Sequence, residues 1–359
     1  METAVETSIE ERVKRWGASL GFDAVAIAGT DLARDEARLL DWLGRGWHGE
    51  MDYMARHGER RARPAELVPG TVSIITARLN YKPAGARDSW ETLADPSSAF
   101  ISRYALGRDY HKVLRAKLQA LADRMTAELG PFHYRVFTDS APVMEVSLAA
   151  NAGLGWRGKH TLLLSRESGS MFFLGELFVS LDLVKDPPTT QHCGTCEKCI
   201  DVCPTGAIRA PYQLDARRCV SYLTIEHPGA IPQELRPLMG NRIYGCDDCQ
   251  LACPWNKYAR VASDPDFAVR NGLDRASLIA LFGWTEPEFL QRFEGSAIRR
   301  IGHEKWLRNI AVALGNAPTR PDVVAALRSR ADHPSALVRE HVAWALARHA
   351  KPSRSGAAP

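Results

Sequence analysis

Apolar residues recur at helical spacing over residues 8 to 20, and the run Asp23 to Gly29 that follows is short and continuously apolar. The first pattern predicts a helix and the second a strand. A further helical pattern covers Asp31 to Leu43, and the β-branched stretch Thr71 to Tyr81 predicts a buried strand. After a Pro-, Asp- and Ser-rich loop over residues 82 to 98, an amphipathic helix runs from about His111 to Leu129. Phe132 to Phe137 reads as a strand, Glu145 to Ala152 as a helix, and Thr161 to Leu164 and Ser170 to Val179 as two more strands. The pattern then changes. Helical spacing returns only at Pro287 to Phe293, Lys305 to Leu314, Pro321 to Arg330 and Ser335 to His349, and the tail Lys351 to Pro359 is expected to be disordered. Mixed elements followed by helices alone predict an α+β protein.

The chain of 359 residues is 45% hydrophobic, enough for a substantial core and two or three domains. No apolar run reaches the roughly 20 residues of a membrane span. Even Met171 to Val184 is interrupted by Glu176 and Asp182. The net charge of +4 is unevenly spread: residues 291 to 359 carry 12 Lys+Arg against 5 Asp+Glu. A basic end points to a polyanion such as nucleic acid, the alternative being a solvated helical face. Within it, Val338 to Ala347 resembles the inner helix of a HEAT repeat, with Arg308 to Gly315 as a counterpart about one repeat earlier. The opening METAVETSIEERVKR has no secretory or twin-arginine character. The expected location is therefore the cytoplasm, with reduced thiols available for metal.

All eight cysteines lie between residues 193 and 253. Cys193-x-x-Cys196-x-x-Cys199-x-x-x-Cys203-Pro204 has the bacterial ferredoxin spacing, in which the cysteine before proline serves a second cluster. Cys246-x-x-Cys249-x-x-x-Cys253-Pro254 repeats it one cysteine short, which leaves Cys219 as the candidate missing ligand. By that logic Cys193, Cys196, Cys199 and Cys253 hold one 4Fe-4S cluster, and Cys203, Cys219, Cys246 and Cys249 the other. Zinc would favour two separated cysteine pairs without the cysteine-proline endings.

Outside the cysteines the candidate chemistry is sparser. Arg60, Arg61 and Arg63 precede Pro64, a cluster able to bind an anionic or carboxamide group, though also ordinary at a helix end. Asp109-x-His111 is similar to the start of a cobalt-ligating motif, but Leu114 stands where that motif needs glycine, so His111 reads as helix-terminal structure and not as a metal ligand. Asp139 falls at a strand-to-helix switch, where α/β proteins place reactive groups and where an N-cap is equally at home. The glycines of Ala152 to His160 match neither a phosphate loop nor a dinucleotide fingerprint. They imply close backbone packing against something flat, with Lys159 and His160 as polar contacts, or tight helix-strand packing.

Taken together, Asp139-x-Ala-Pro-x-x-Glu145, the glycine-rich turn through Trp156 and Lys159, Gly169-Ser170, Gly-Glu176, the doubled cysteine motif, Asn241-Arg-x-Tyr-Gly-Cys246 and the HEAT-like end resemble the epoxyqueuosine reductases. The resemblance covers almost the whole chain. It implies an N-terminal α/β cobalamin-binding domain similar to reductive dehalogenases (1–185), a ferredoxin-like two-cluster domain (186–262) and a HEAT-like α-helical tRNA-binding domain (263–359). It implies reduction of epoxyqueuosine in the anticodon loop of tRNA by cob(II)alamin fed through two 4Fe-4S clusters, with Asp139 as proton donor. An acid working near neutrality needs its pKa raised from about 3.9, so a desolvated pocket around Asp139 is expected. Arg61, Ser102, Asp139, Lys159, Ser170 and Ser221 are the implied cobalamin contacts, and Arg299, Arg300, Lys305 and Arg308 the expected tRNA contacts. The implied partners are the modified tRNA and a low-potential electron donor, for a monomer without membrane attachment. A dehalogenase would carry an export signal, a ferredoxin would leave about 190 residues without a task, and an RNA scaffold would leave the cysteines unexplained.

Overall fold

The computed structural model describes residues 7–350. Helix α1 (Ile9–Ser19) is started by Ser8, whose hydroxyl accepts the Glu11 amide. It leads into β1 (Ala24–Ala28), α2 (Ala33–Gly44) and β2 (Ser73–Asn80). A two-residue strand β3 (Phe100–Ile101) precedes the long α3 (Tyr110–Leu129), followed by β4 (Tyr134–Thr138), α4 (Glu145–Asn151) and β5 (Phe172–Val179). The sheet runs β1-β2-β5-β4, and every neighbouring pair is antiparallel.

All residues of β2 and β5 are buried, so these central strands are covered on both faces. Alternation divides their side chains. Ile75, Ala77, Leu79, Phe173, Leu177 and Val179 pack with Val13 and Trp16 of α1 and Leu114 and Leu118 of α3. Ile74, Phe172, Leu174 and Phe178 pack with Leu148 and Ala149 of α4. Gly175 allows α3 to lie close, because a Cβ there would stand 2.8 Å from Leu118 Cδ1.

The helices and long strands fall within a few residues of the sequence pattern. Residues 161–164 differ: only Leu163–Leu164 is strand, paired with Trp156–Arg157, and Thr161 sits at a left-handed φ of 76°. The glycine-rich turn is compressed against its own surroundings. A Cβ at Gly155 would meet the Leu164 carbonyl oxygen at 2.1 Å, and one at Gly153 the Pro187 carbonyl oxygen at 2.3 Å. These two glycines are packed against backbone carbonyls of the neighbouring strand and of the loop at Pro187, not between a helix and a strand.

The cysteine region is built from single-turn helices Lys198–Asp201 and Asp248–Leu251, α5 (Val220–Ile225) and β6 (Arg242–Tyr244), which pairs in parallel with β3. The end of the described chain is helical: α6 (Gly302–Asn316), α7 (Pro321–Arg328) and α8 (Ala336–Ala350). One core joins Ile101 and Leu106 to Ile243 and to Trp306, Ile310, Leu314, Val338 and Val342. The three expected regions are thus welded by shared apolar packing. The tail Lys351–Pro359 lies outside the described residues. No helix among them is long and apolar enough to cross a membrane.

Candidate active site and cluster ligands

Asp139 follows directly on β4, and α4 begins only at Glu145 with Met144 as its N-cap residue. Asp139 is therefore no helix cap. Its carboxylate accepts a hydrogen bond from the Tyr110 hydroxyl and lies 3.2 Å from His111 Nε2. Both partners come from the first turn of α3, where Asp109 caps the helix by accepting the His111 amide and also holds His111 Nδ1 at 2.8 Å. That contact turns Nε2 toward Asp139. Arg300 closes the group, with 2.8 Å to Asp109 and 2.9 Å to His111 Nε2. Tyr110 is fixed by stacking on Phe173 at 4.1 Å.

Burial alone would raise Asp139, but hydrogen bonds from His111 and Tyr110 and the charges of His111 and Arg300 outweigh it and hold the carboxyl below its ordinary range. The expected upward shift is overturned, because the pocket supplies donors and positive charge as well as desolvation. His111 moves the other way. Burial lowers it, but the carboxylates of Asp109 and Asp139 prevail and raise it. Asp139 is thus the stronger acid of the two, and a proton shared between them is held by His111 in preference to Asp139. Sequence reading had set His111 aside as structural, and the only local signal was the Asp109-x-His111 spacing.

Asp139 opens onto a cavity of about 980 Å³. Trp42, Trp47, Tyr53, Tyr104, Tyr110 and Tyr244 give it broad aromatic walls; Arg38, Arg61, Arg157, Arg300 and Lys305 add charge. Half of the Asp139 side-chain surface is accessible, and what it faces is this cavity. Arg61 is buried, lines the cavity, and donates to the Tyr53 and Met54 carbonyls. Its neighbour Arg63 points away to Glu36, Glu59 and Glu66, so the arginine cluster is splayed.

The remaining expected cobalamin contacts do not line this cavity. Ser102 is buried and donates to Asp247 at 2.5 Å. Ser170 is engaged with Asn256 and Gln250, beside the second cysteine run. Ser221 sits at the start of α5, next to Cys219. Lys159 lines a separate cavity of about 300 Å³, with Cys193, Cys196, Cys199 and Cys253 in its wall.

That smaller cavity gathers the four cysteines assigned to one cluster. The other four lie within electrostatic reach of one another: Cys249 of Cys219 and Cys203, and also of Cys199 in the first group, and Cys246 of Cys249 and Cys219. All eight are free thiols. No three His, Cys, Asp or Glu side chains among the described residues converge on a single metal ion. His160 Nε2 in the cavity wall is buried without a partner among the described residues, a donor of the kind that cluster sulfur accepts from. The second group adjoins the large cavity through α5 and β6, whose ends Ile225 and Tyr244 line it.

Of the expected tRNA contacts, Arg299 is exposed and Arg300 half-exposed at the cavity edge. Lys305 lines the cavity and donates to the Ile225 carbonyl at 2.8 Å. Arg308 is a correction. It is fully buried and donates to the carbonyls of Leu223, His227 and Gly229, which leaves no surface for phosphate. Helical position alone does not separate a surface arginine from one that satisfies buried carbonyls.

Two groups of four thiols, the second beside a cofactor-sized cavity that holds an acid site, are the arrangement of an iron-sulfur oxidoreductase. Residues 192–256 match the 4Fe-4S double cluster binding domain and residues 61–140 the family described as epoxyqueuosine reductase QueG, DUF1730. The chain is 57% identical to the epoxyqueuosine reductase of Burkholderia pseudomallei over 96% of its length and 93% of the relative's. It is 56% identical to that of Escherichia coli, over 94% and 89%. A solved epoxyqueuosine reductase with a tRNA-Tyr epoxyqueuosine-modified stem loop superposes with a TM-score of 0.87 at 28% identity, covering 96% of this chain and 90% of that one. The Bacillus subtilis enzyme, with its catalytic loop swung out of the active site, gives 0.85 at 28%, covering 96% and 91%. The chain belongs to the epoxyqueuosine reductase family.

Proposed function

We propose that this protein reduces epoxyqueuosine to queuosine in the anticodon loop of tRNA, with two 4Fe-4S clusters feeding a cobalamin held in the cavity beside Asp139. The observation that carries this reading is the Tyr110-His111-Asp139 group opening into a 980 Å³ aromatic cavity next to the second thiol group. The cavity fits a flat, amide-fringed macrocycle: aromatic walls face it, and the buried Nε of Arg157, which lines it, has no partner among the described residues. Bound there, cobalamin supplies cobalt electrons to the epoxide. Arg61 and Asp139 remain the contacts proposed for it; Ser102, Lys159, Ser170 and Ser221 support the surrounding protein and the thiol groups.

The chain's own residues handle the oxygen. Filling the cavity with cofactor and nucleoside excludes water and makes the separated charges of His111 and Asp139 costlier, so the proton shifts to Asp139 and passes to the departing oxygen. The tRNA-bound relative supports RNA as the substrate carrier. We assign RNA backbone contact to Arg299 and to Arg300 and Lys305 at the cavity edge, on a HEAT-like cap over residues 263–359. The 1–185 and 186–262 divisions, a monomeric state, a cytoplasmic location and a low-potential donor protein complete the proposal. Asp139→Asn, loaded with clusters and cobalamin, should lose turnover by about a thousandfold or more. Normal conversion by that variant would remove Asp139 from its role.

A further inference from the structure

Epoxide deoxygenation breaks two carbon-oxygen bonds, forms the ring double bond and releases water. It takes up two electrons and two protons, and Asp139 with His111 accounts for one proton.

Glu176 stands in the middle of β5, opposite Thr76 on one side and Phe137 on the other, and is completely buried. Neither of its carboxyl oxygens has a hydrogen-bond donor among the described residues. Glu145, the first residue of α4, has its side chain within hydrogen-bond reach of Glu176, and its buried Oε1 is also without a donor among the described residues. The charged and titratable groups bearing on the two are each other, Asp139 and Tyr110, and none is a base. Two such carboxylates cannot both stay ionised; one proton between them removes the repulsion and makes the missing hydrogen bond. Burial first, and mutual repulsion second, hold Glu145 well above the carboxylate range, and Glu176 is raised by burial and by Asp139. Glu145 also lines the cavity that Asp139 faces, with the Asp139 backbone amide against its carboxyl.

We propose that Glu145 and Glu176 jointly store one proton and that this proton recharges Asp139 for the second protonation of the departing oxygen. This rests on the reading of Asp139 as the group serving that oxygen. In the step, the Glu145 O–H bond breaks and the proton joins the Asp139 carboxylate. The new Asp139 O–H then breaks as the proton reaches the hydroxyl that leaves as water. Both electrons come from the reduced donor that the overall reaction already requires, and the pair regains its proton from solvent through the emptied cavity. Both residues act through Asp139 and are positioning residues.

The alternative is that the protonated pair merely ties α4 to the sheet. Anaerobic pH-rate profiles on the full chain, loaded with clusters and cobalamin, separate the two for Glu145→Gln and Glu176→Gln. The proposal expects kcat to fall about tenfold or more at alkaline pH, the deficit shrinking toward acid pH where solvent protons substitute, with KM for the tRNA unchanged. A loss equal at every pH, or no loss, overturns it. Infrared spectroscopy of the wild-type protein needs no turnover and no folded variant: near neutral pH a protonated-carboxyl band sensitive to deuterium must be present, and its absence overturns the store. That band should shift in Glu176→Gln, which removes the partner of the shared proton, and stay unchanged in Asp139→Asn. Full activity of Asp139→Asn with the band intact would instead sink the Asp139 reading on its own.

Discussion

His111 carries the charge that sets Asp139, and Asp109 sets His111. Because the folded-state pKa of His111 is raised, the stability gained from its charged form is fully present below its unfolded value of about 6.5 and is lost as pH rises through the folded value. Asp109→Asn removes the strongest of the contacts that raise it. The alkaline limb of kcat should move to lower pH in that variant, read from a pH-rate profile; an unmoved limb would detach His111 from the proton path. The Glu145–Glu176 pair has the opposite chemistry but a similar sign. Carboxyls raised by burial are tolerated at acid pH and cost stability as pH climbs above about 4.3. Thermal melts should therefore show Glu176→Gln gaining on the wild type with rising pH. Asp139 was legible in the sequence because its neighbours along the chain carry the motif. Tyr110, His111 and Arg300 were not, because their roles arise only when α3 and the turn before α6 converge on β4 in space.

At the level of elements, the amphipathic helices and the continuous apolar strands were readable because each buries a face defined by its own period. Residues 161–164 failed since a four-residue stretch forms a strand only with a partner of matching length, and Trp156–Arg157 offers two. Helix α6 shows the same limit from within. Its basic residues read as a surface, yet Arg308 lies at 0% exposure and satisfies carbonyls on α5 and the loop after it. Arg308→Ala strands those carbonyls and should destabilise the fold by on the order of 3 kcal/mol in urea melts. Arg299→Ala should leave the melt unchanged and reduce the salt slope of tRNA binding by about one. If Arg308→Ala melted like the wild type, its structural assignment would fail.

Across the whole molecule, the large cavity is lined by residues of α5 and β6 from the cysteine region and by Arg300, Ile301 and Lys305 from the basic end. The first group lies at the cavity that holds exposed Cys196, and the second adjoins the acid site through α5 and β6. The grouping of cysteines was visible in their spacing, since a ferredoxin repeat dictates its own crossing over. The welding of Ile101 to Ile243 and Trp306 was not, because such packing has no local pattern. Cys219→Ala should cost about four irons per chain while sparing the other cluster, measured by anaerobic iron analysis. The central claim is tested most directly by incubating the anaerobic, cluster-loaded chain with cobalamin, a low-potential reductant and tRNA bearing epoxyqueuosine, then analysing the nucleosides. Conversion to queuosine that requires cobalamin and is lost in Asp139→Asn is the predicted result; unchanged epoxyqueuosine with both clusters and cobalamin in place would contradict the account.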